Sequence, residues 1–159
     1  MTAEVGTFIF TLLTGALRSG TPLVFASLGE SFAERAGVLN LGLEGILLSG
    51  ALSAFAVAQK TGSLWAGVGA ALLMGLLLGG LHAFLTITLR ANQVVAGLSL
   101  TIFGTGLSSL LGKNMVGIPG LLFPKIPIPL LEKIPLLGEL FFNHNALVYL
   151  SFLLVAGAW

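Results

Sequence analysis

The stretch Glu34-Arg35-Ala36-Gly37-Val38-Leu39-Asn40-Leu41-Gly42-Leu43-Glu44-Gly45 sets an asparagine and a glutamate inside a run otherwise apolar enough to span a membrane. Glycines interrupt it at Gly37, Gly42 and Gly45. A carboxylate well inside a bilayer costs about 2.5–3.5 kcal/mol on insertion scales, so it usually faces a bundle interior or a watery path. Helix breaks at membrane depth are tolerated where the freed backbone groups are buried in protein or line a cavity. The stretch points to a transport pathway rather than a simple anchor.

Working outward, composition agrees. Of 159 residues, 56% are hydrophobic and only 8% charged, and the mean hydropathy is +1.05. Several runs approach the roughly 20 apolar residues that cross the hydrocarbon core. The fold class is all-α: a polytopic transmembrane helical bundle of about four complete spans plus a truncated fifth. A net charge of +1 makes no electrostatic case for nucleic acid. With no cysteine, disulfides, thiol catalysis and cysteine metal sites are excluded. The first basic residue is Arg18, so the first apolar run lacks a signal peptide's basic start and reads as mature structure.

The runs are Val5 to Leu28, Val38 to Ala58, Leu64 to Leu89 and Val94 to Leu111. Gly20-Thr21-Pro22 is expected to kink the first, because proline removes a backbone donor. Glu30 to Arg35 reads as a polar link, Gln59 to Ser63 as a loop, and Trp65 as an interfacial aromatic. Residues 113–145 form a Pro-rich loop carrying Pro119, Pro124, Pro127, Pro129 and Pro135, with a short helix expected near Leu136 to Phe142. A last run from Ala146 to Trp159 is too short to span, so the chain reads as a piece of a longer protein.

Polar residues in the spans have two readings each. Glu44 either lines the path or bonds to freed backbone amides. Asn40, read as one turn earlier on the same helix face, either joins it or satisfies backbone at a helix break. Asn92 either caps the fourth helix or joins Gln93 in a polar cluster at the inner mouth. Gly97, Thr101, Thr105 and Ser109 share one face, whose hydroxyls either bond across helices or line the path. The candidate path residues are thus Asn40, Glu44, Asn92, Gln93, Thr101 and Thr105, with Gly37, Gly42, Gly45 and Gly97 as the structural motif. Small residues at four-residue spacing (Gly67, Ala71, Gly75, Gly79, Ala83) read as a packing stripe. Arg18 is expected to snorkel to the interface. His82 and His144 are isolated and make poor metal ligands; they read as satisfied core or interfacial histidines. Phe55, Phe84 and Phe103 read as packing or lipid-facing residues. No phosphate-binding loop exists, since Gly112-Lys113 is followed by Asn114 and Leu107 stands at the motif's first glycine. No nucleophile, base and orienter set suggests catalysis. The sequence implies no metal and no cofactor.

The opening stretch, with Arg90-Ala91-Asn92-Gln93-Val94-Val95-Ala96-Gly97-Leu98, resembles the permease subunits of bacterial ABC importers, nearest the nucleoside and simple-sugar branch. That branch is related to ribose and branched-chain amino acid permeases. Ile126-Pro127-Ile128-Pro129-Leu130-Leu131 and Asn145-Ala146-Leu147-Val148-Tyr149-Leu150 fit the same branch. The resemblance covers about the first half of a typical member. It implies one transmembrane permease domain over residues 1–159 in the bacterial inner membrane, not an enzyme itself. It also implies two cytoplasmic ATPase subunits, a second permease subunit (the same or a related chain) and an extracytoplasmic substrate-binding lipoprotein. Basic residues alone favour a cytoplasmic lysine side. Family topology instead puts the Arg35 and Arg90 links in the cytoplasm and the Pro-rich loop outside. The family's ATPase-docking loop would follow Trp159. An ion-coupled secondary transporter, a membrane scaffold and a branched-chain amino acid permease are the rival readings.

Overall fold

The computed structural model describes residues 2–127, 141 and 143–158. Helices dominate: α1 is Thr2–Arg35, α2 Leu43–Thr61, α3 Leu64–Ala83, α4 Gln93–Gly112 and α5 Ala146–Ala158. A π-helical turn, Phe84–Thr88, extends α3, and a 3-10 turn, Lys113–Met115, extends α4. Three segments are long and apolar enough to cross a membrane: Phe8–Arg35, Leu64–Thr88 and Gln93–Met115. This is an all-α, multi-pass membrane protein. The expected second span is shorter as a helix than its apolar run, because Val38 to Gly42 are not helical. At 13 residues, α5 measures about 20 Å, short of the hydrocarbon core.

Two compact units make up the chain: Met1–Leu28 with Phe123–Trp159, and Gly29–Leu122. In the first, α1 runs through Pro22 without ending there. Thr21 is buried, and its hydroxyl donates to the Leu17 carbonyl at 2.9 Å, as Thr14 does to Phe10. Such back-bonds hide a hydroxyl in its own helix. Strands β1 (Ile126–Pro127) and β2 (Asn143–His144) pair antiparallel, Ile126 opposite His144. The Tyr149 hydroxyl accepts from the His144 amide at 3.2 Å and donates to the Ile126 carbonyl at 3.0 Å, tying both strands to α5. The short helix expected near Leu136 to Phe142 lies outside the described residues, Phe141 apart.

In the second unit α2 packs on both α3 and α4. Ala58, Leu78, Ala96 and Leu100 are its buried apolar residues. Of the small-residue stripe on α3, Gly67 makes the close approach: a Cβ there would lie 2.7 Å from the Ala54 carbonyl oxygen and 3.0 Å from the Ala58 Cβ. Beside Gly75 and Gly79 there is open space.

Glu30 to Arg35 is not a polar link but the last turns of α1. The helix runs seven residues past Leu28, the end of its apolar run, and stops just before Gly37. Gly37 has φ +82°, its amide donates to Glu34 O at 2.9 Å, and the Val38 amide donates to Ala33 O at 2.9 Å. That crossed pair is a Schellman stop.

Candidate functional site

The segment from Val38 to Gly42 has left one helix and not yet entered the next, so its peptide groups need partners from elsewhere. Side chains supply them. The Leu39 amide donates to Gln93 Oε1 at 2.8 Å, and Gln93 Nε2 donates back to the Gly37 carbonyl at 3.2 Å. The Asn40 amide donates to Glu30 Oε1 at 2.8 Å. His82 Nε2 lies 3.1 Å from the Leu39 carbonyl oxygen. Thr101 Oγ1 donates to the Leu41 carbonyl at 2.9 Å. Asn40 Oδ1 accepts from the Gly42 amide, also at 2.9 Å. Residues of α1, α3 and α4 thus brace one non-helical segment. Each bond is worth about 0.5–1.5 kcal/mol net, but a peptide group left unpaired in an apolar setting costs several times more.

The same bonds measure depth. Gly37 and Leu39 meet Gln93, the first residue of α4; Leu41 meets Thr101, about 12 Å further along that helix. The segment thus runs alongside α4, with side-chain reach taking up part of that rise. Gly97 clears its way: a Cβ there would sit 2.7 Å from the Leu41 amide nitrogen and 3.0 Å from that of Gly42. Below it, α2 and α4 cross backbone to backbone. A Cβ on Gly45 would lie 2.7 Å from Thr101 Cα, and closer still to the Leu100 carbonyl oxygen; one on Gly104 would run into Gly45 itself. Gly42 abuts Leu100 and the Gly97 carbonyl. Gly37 serves at the helix stop instead.

Helix α2 therefore begins well inside the bundle, and Glu44 stands in its first turn. An acidic residue there complements the positive helix end. Glu44 is exposed, with no hydrogen bond or ion pair among the described residues. Leu48 and Ala51 continue the exposed face of α2, and Thr105 is exposed on α4 beside the crossing. Asn40 does not share that face as a helical residue, because it precedes the helix. Asn92 caps α4: its Oδ1 accepts from the Val94 amide at 3.0 Å and the Val95 amide at 3.2 Å.

Six candidate path residues thus divide by what they touch. Asn40, Gln93 and Thr101 bond to the braced segment and Asn92 to its own helix, while Glu44 and Thr105 stay open. Three participants escaped sequence reasoning. Glu30 had one signal, an acidic residue near a helix C-terminus where the dipole disfavours it. Gly104 stands seven residues, two turns, after Gly97 and so on the same face. His82 is the lone ionisable residue of α3; its ring is 2% exposed, as a satisfied core histidine would be, yet its Nδ1 has no partner among the described residues. Among the described residues no group of acidic and histidine side chains is placed to hold a metal ion.

A family described as branched-chain amino acid transport system / permease component matches residues 12–159. The chain is 43% identical over 153 residues to the putative glucose ABC transporter permease protein of Haloferax volcanii, covering 93% of this chain and 46% of that protein. It is 32% identical over 160 residues to the nucleoside ABC transporter permease protein of Lactococcus lactis subsp. cremoris, covering 93% and 50% respectively. The guanosine ABC transporter permease protein of Bacillus subtilis is likewise 32% identical, with 93% and 49% covered. The chain spans about half the length of these relatives. No solved structure matches it.

Proposed function

Since the chain belongs to the family of branched-chain amino acid transport system permease components, we propose that it forms the N-terminal half of an ABC importer permease that carries a nucleoside or simple sugar across the plasma (inner) membrane. Its helices line part of a central path, and Glu44 and Thr105 face that path. Cytoplasmic ATPase subunits drive it, a second permease subunit completes the path, and an extracytoplasmic binding lipoprotein delivers the solute. Residues 1–159 act as one permease domain, with Arg35 and Arg90 on the cytoplasmic side and the Pro-rich loop of 113–145 outside. The chain itself catalyses no reaction.

The observation that carries this reading is the exposed Glu44 in the first turn of a helix that starts inside the bundle. A carboxylate at that depth is too costly to face lipid. Discontinuous helices whose ends meet the solute are a recurring way to build a transport site. Support for the solute class comes from the glucose, nucleoside and guanosine relatives. The family's own description favours a second reading, in which the solute is a branched-chain amino acid.

Uptake of labelled guanosine, glucose and leucine by cells carrying the complete permease separates the two. Glu44→Leu abolishes uptake of whichever solute the wild type takes, while the complex still assembles; normal uptake removes Glu44 from the path. Inactivating the partner ATPase stops uptake, whereas collapsing ion gradients with ATP held constant does not. The reverse pair of results means a secondary transporter.

A further inference from the structure

We propose that His82 is a positioning residue for transport: through Nε2 it holds the Leu39 peptide, and so fixes where the first turn of α2 stands in the path. The proposal rests on the reading that Glu44 and its helix face line that path.

A single polar ring in an apolar membrane helix needs a reason. Apart from Trp65 at its start, α3 offers no other hydrogen-bonding side chain along its length. The ring is buried, and its partner lies 43 positions away in sequence, on the segment that delivers the chain to α2. The Leu39 carbonyl is an acceptor only, so Nε2 carries the proton and donates. Nδ1 has no partner among the described residues. One nitrogen therefore does the work, and the other contributes nothing to the bracing.

The local backbone is shaped around that ring. Directly after it α3 switches to the π-helical turn Phe84–Thr88, a feature frequent at functional sites. Thr86, also buried, donates its hydroxyl to the His82 carbonyl at 2.8 Å. The turn closes with the Ala91 amide on Leu85 O, and Arg90 takes a positive φ of 54°. From Leu39, only Asn40, Leu41 and Gly42 intervene before α2 begins. Gln93 and His82 grip the two polar groups of the same residue, its amide and its carbonyl. Release of the carbonyl frees the segment to move relative to α3, and the α2 face moves with it.

Substitution chemistry separates this from general polarity. A glutamine amide nitrogen stands four bonds from Cα, as His Nε2 does. An asparagine amide nitrogen stands three bonds away, as Nδ1 does. His82→Gln keeps a donor at the working reach, His82→Asn does not, and His82→Leu removes it.

The test uses the assembled transporter in a cysteine-free form; the present chain contributes no cysteine. Leu48→Cys puts one thiol on the exposed α2 face, a turn beyond Glu44. The readouts are uptake kcat and KM per assembled complex, and the rate at which a charged methanethiosulfonate labels that thiol, with and without solute. The expected result is labelling slowed by solute, a shift in labelling rate and a fall in kcat of about tenfold for His82→Leu and His82→Asn, and recovery of both for His82→Gln. Unchanged labelling and uptake in His82→Leu overturns the proposal, as does equal performance of the Gln and Asn variants. If His82→Leu does not assemble, the Gln and Asn pair decides by the same rule. A thiol that never reacts in the active complex overturns the pathway reading itself, a failure distinct from the other two.

Discussion

The chain leaves a helix and enters the next in two contrasting ways within the Gly29–Leu122 unit. Between α2 and α3 the turn is self-contained. Gly62, at φ +68°, ends α2 with its amide on Ala58 O, and the Ser63 hydroxyl accepts the Ala66 amide at 3.3 Å to start α3. Between α1 and α2 the helix stop is equally local, but Leu39, Asn40 and Leu41 beyond it are held by Glu30, His82, Gln93 and Thr101. The first turn can be solvated, so its backbone needs nothing from afar. The second runs beside α4, and side chains of α1, α3 and α4 take up its peptide groups at Leu39, Asn40 and Leu41. The first connection is a local property; the second is a property of the whole unit.

The strongest test of that contrast is where backbone meets backbone. Gly104→Ala puts a methyl 2.5 Å from Gly45 Cα and closer still to its carbonyl oxygen, and no side chain is there to yield. The α2–α4 crossing then opens, at a cost of about 3 kcal/mol, measured as lost assembly or early thermal inactivation of the complete permease in detergent. Wild-type stability in that variant breaks the account of the crossing. Next comes Asn40→Ala, which strips the Gly42 amide of its acceptor. It costs about 1–3 kcal/mol and lowers uptake, because the amide is left unpaired inside the bundle. Thr101→Val, removing the donor to Leu41, sharpens the same point at about 1 kcal/mol.

At the self-contained turn the effect is smaller and uncoupled from transport. Ser63→Ala costs about 1 kcal/mol of stability, the usual value of a lost helix cap, and leaves uptake intact. A fall in uptake comparable to that of Asn40→Ala would erase the distinction between the two connections. The smallest change belongs to Gly79→Ala. Its surroundings are open in this chain, so the gain in helix propensity raises stability by up to about 1 kcal/mol. Loss of assembly would instead mean that this face of α3 packs on another part of the transporter.

How much of this was legible in advance differs by residue. Gln59 to Ser63 read as a loop, and the structure leaves Gly62 and Ser63 outside the helices while α2 runs on to Thr61; a glycine and a cap residue announce a turn by themselves. Asn92 carried the same kind of signal, and the structure uses it as a cap. Glu30 to Arg35 misled because charge was taken for a link, whereas helices end where a left-handed residue permits it, here Gly37. Gln93 was recognised as polar and well placed, but nothing in its neighbours says that both ends of its amide clasp Gly37 and Leu39.

Sequence alone determined the membrane class, the apolar runs and the break, because hydropathy and glycine spacing are properties of short stretches; the family came from the resemblance of whole motifs. Tertiary structure decided what the break rests on. Hydrogen-bond partners up to 60 residues apart, as Thr101 and Leu41 are, leave no local periodicity to read. It also decided which glycines matter. Gly45 and Gly104 admit no Cβ because another backbone occupies that space, while Gly75 and Gly79, equally plain in the sequence, face open space. Which of two identical residues lacks room is settled by what lies opposite, and only the folded bundle supplies that.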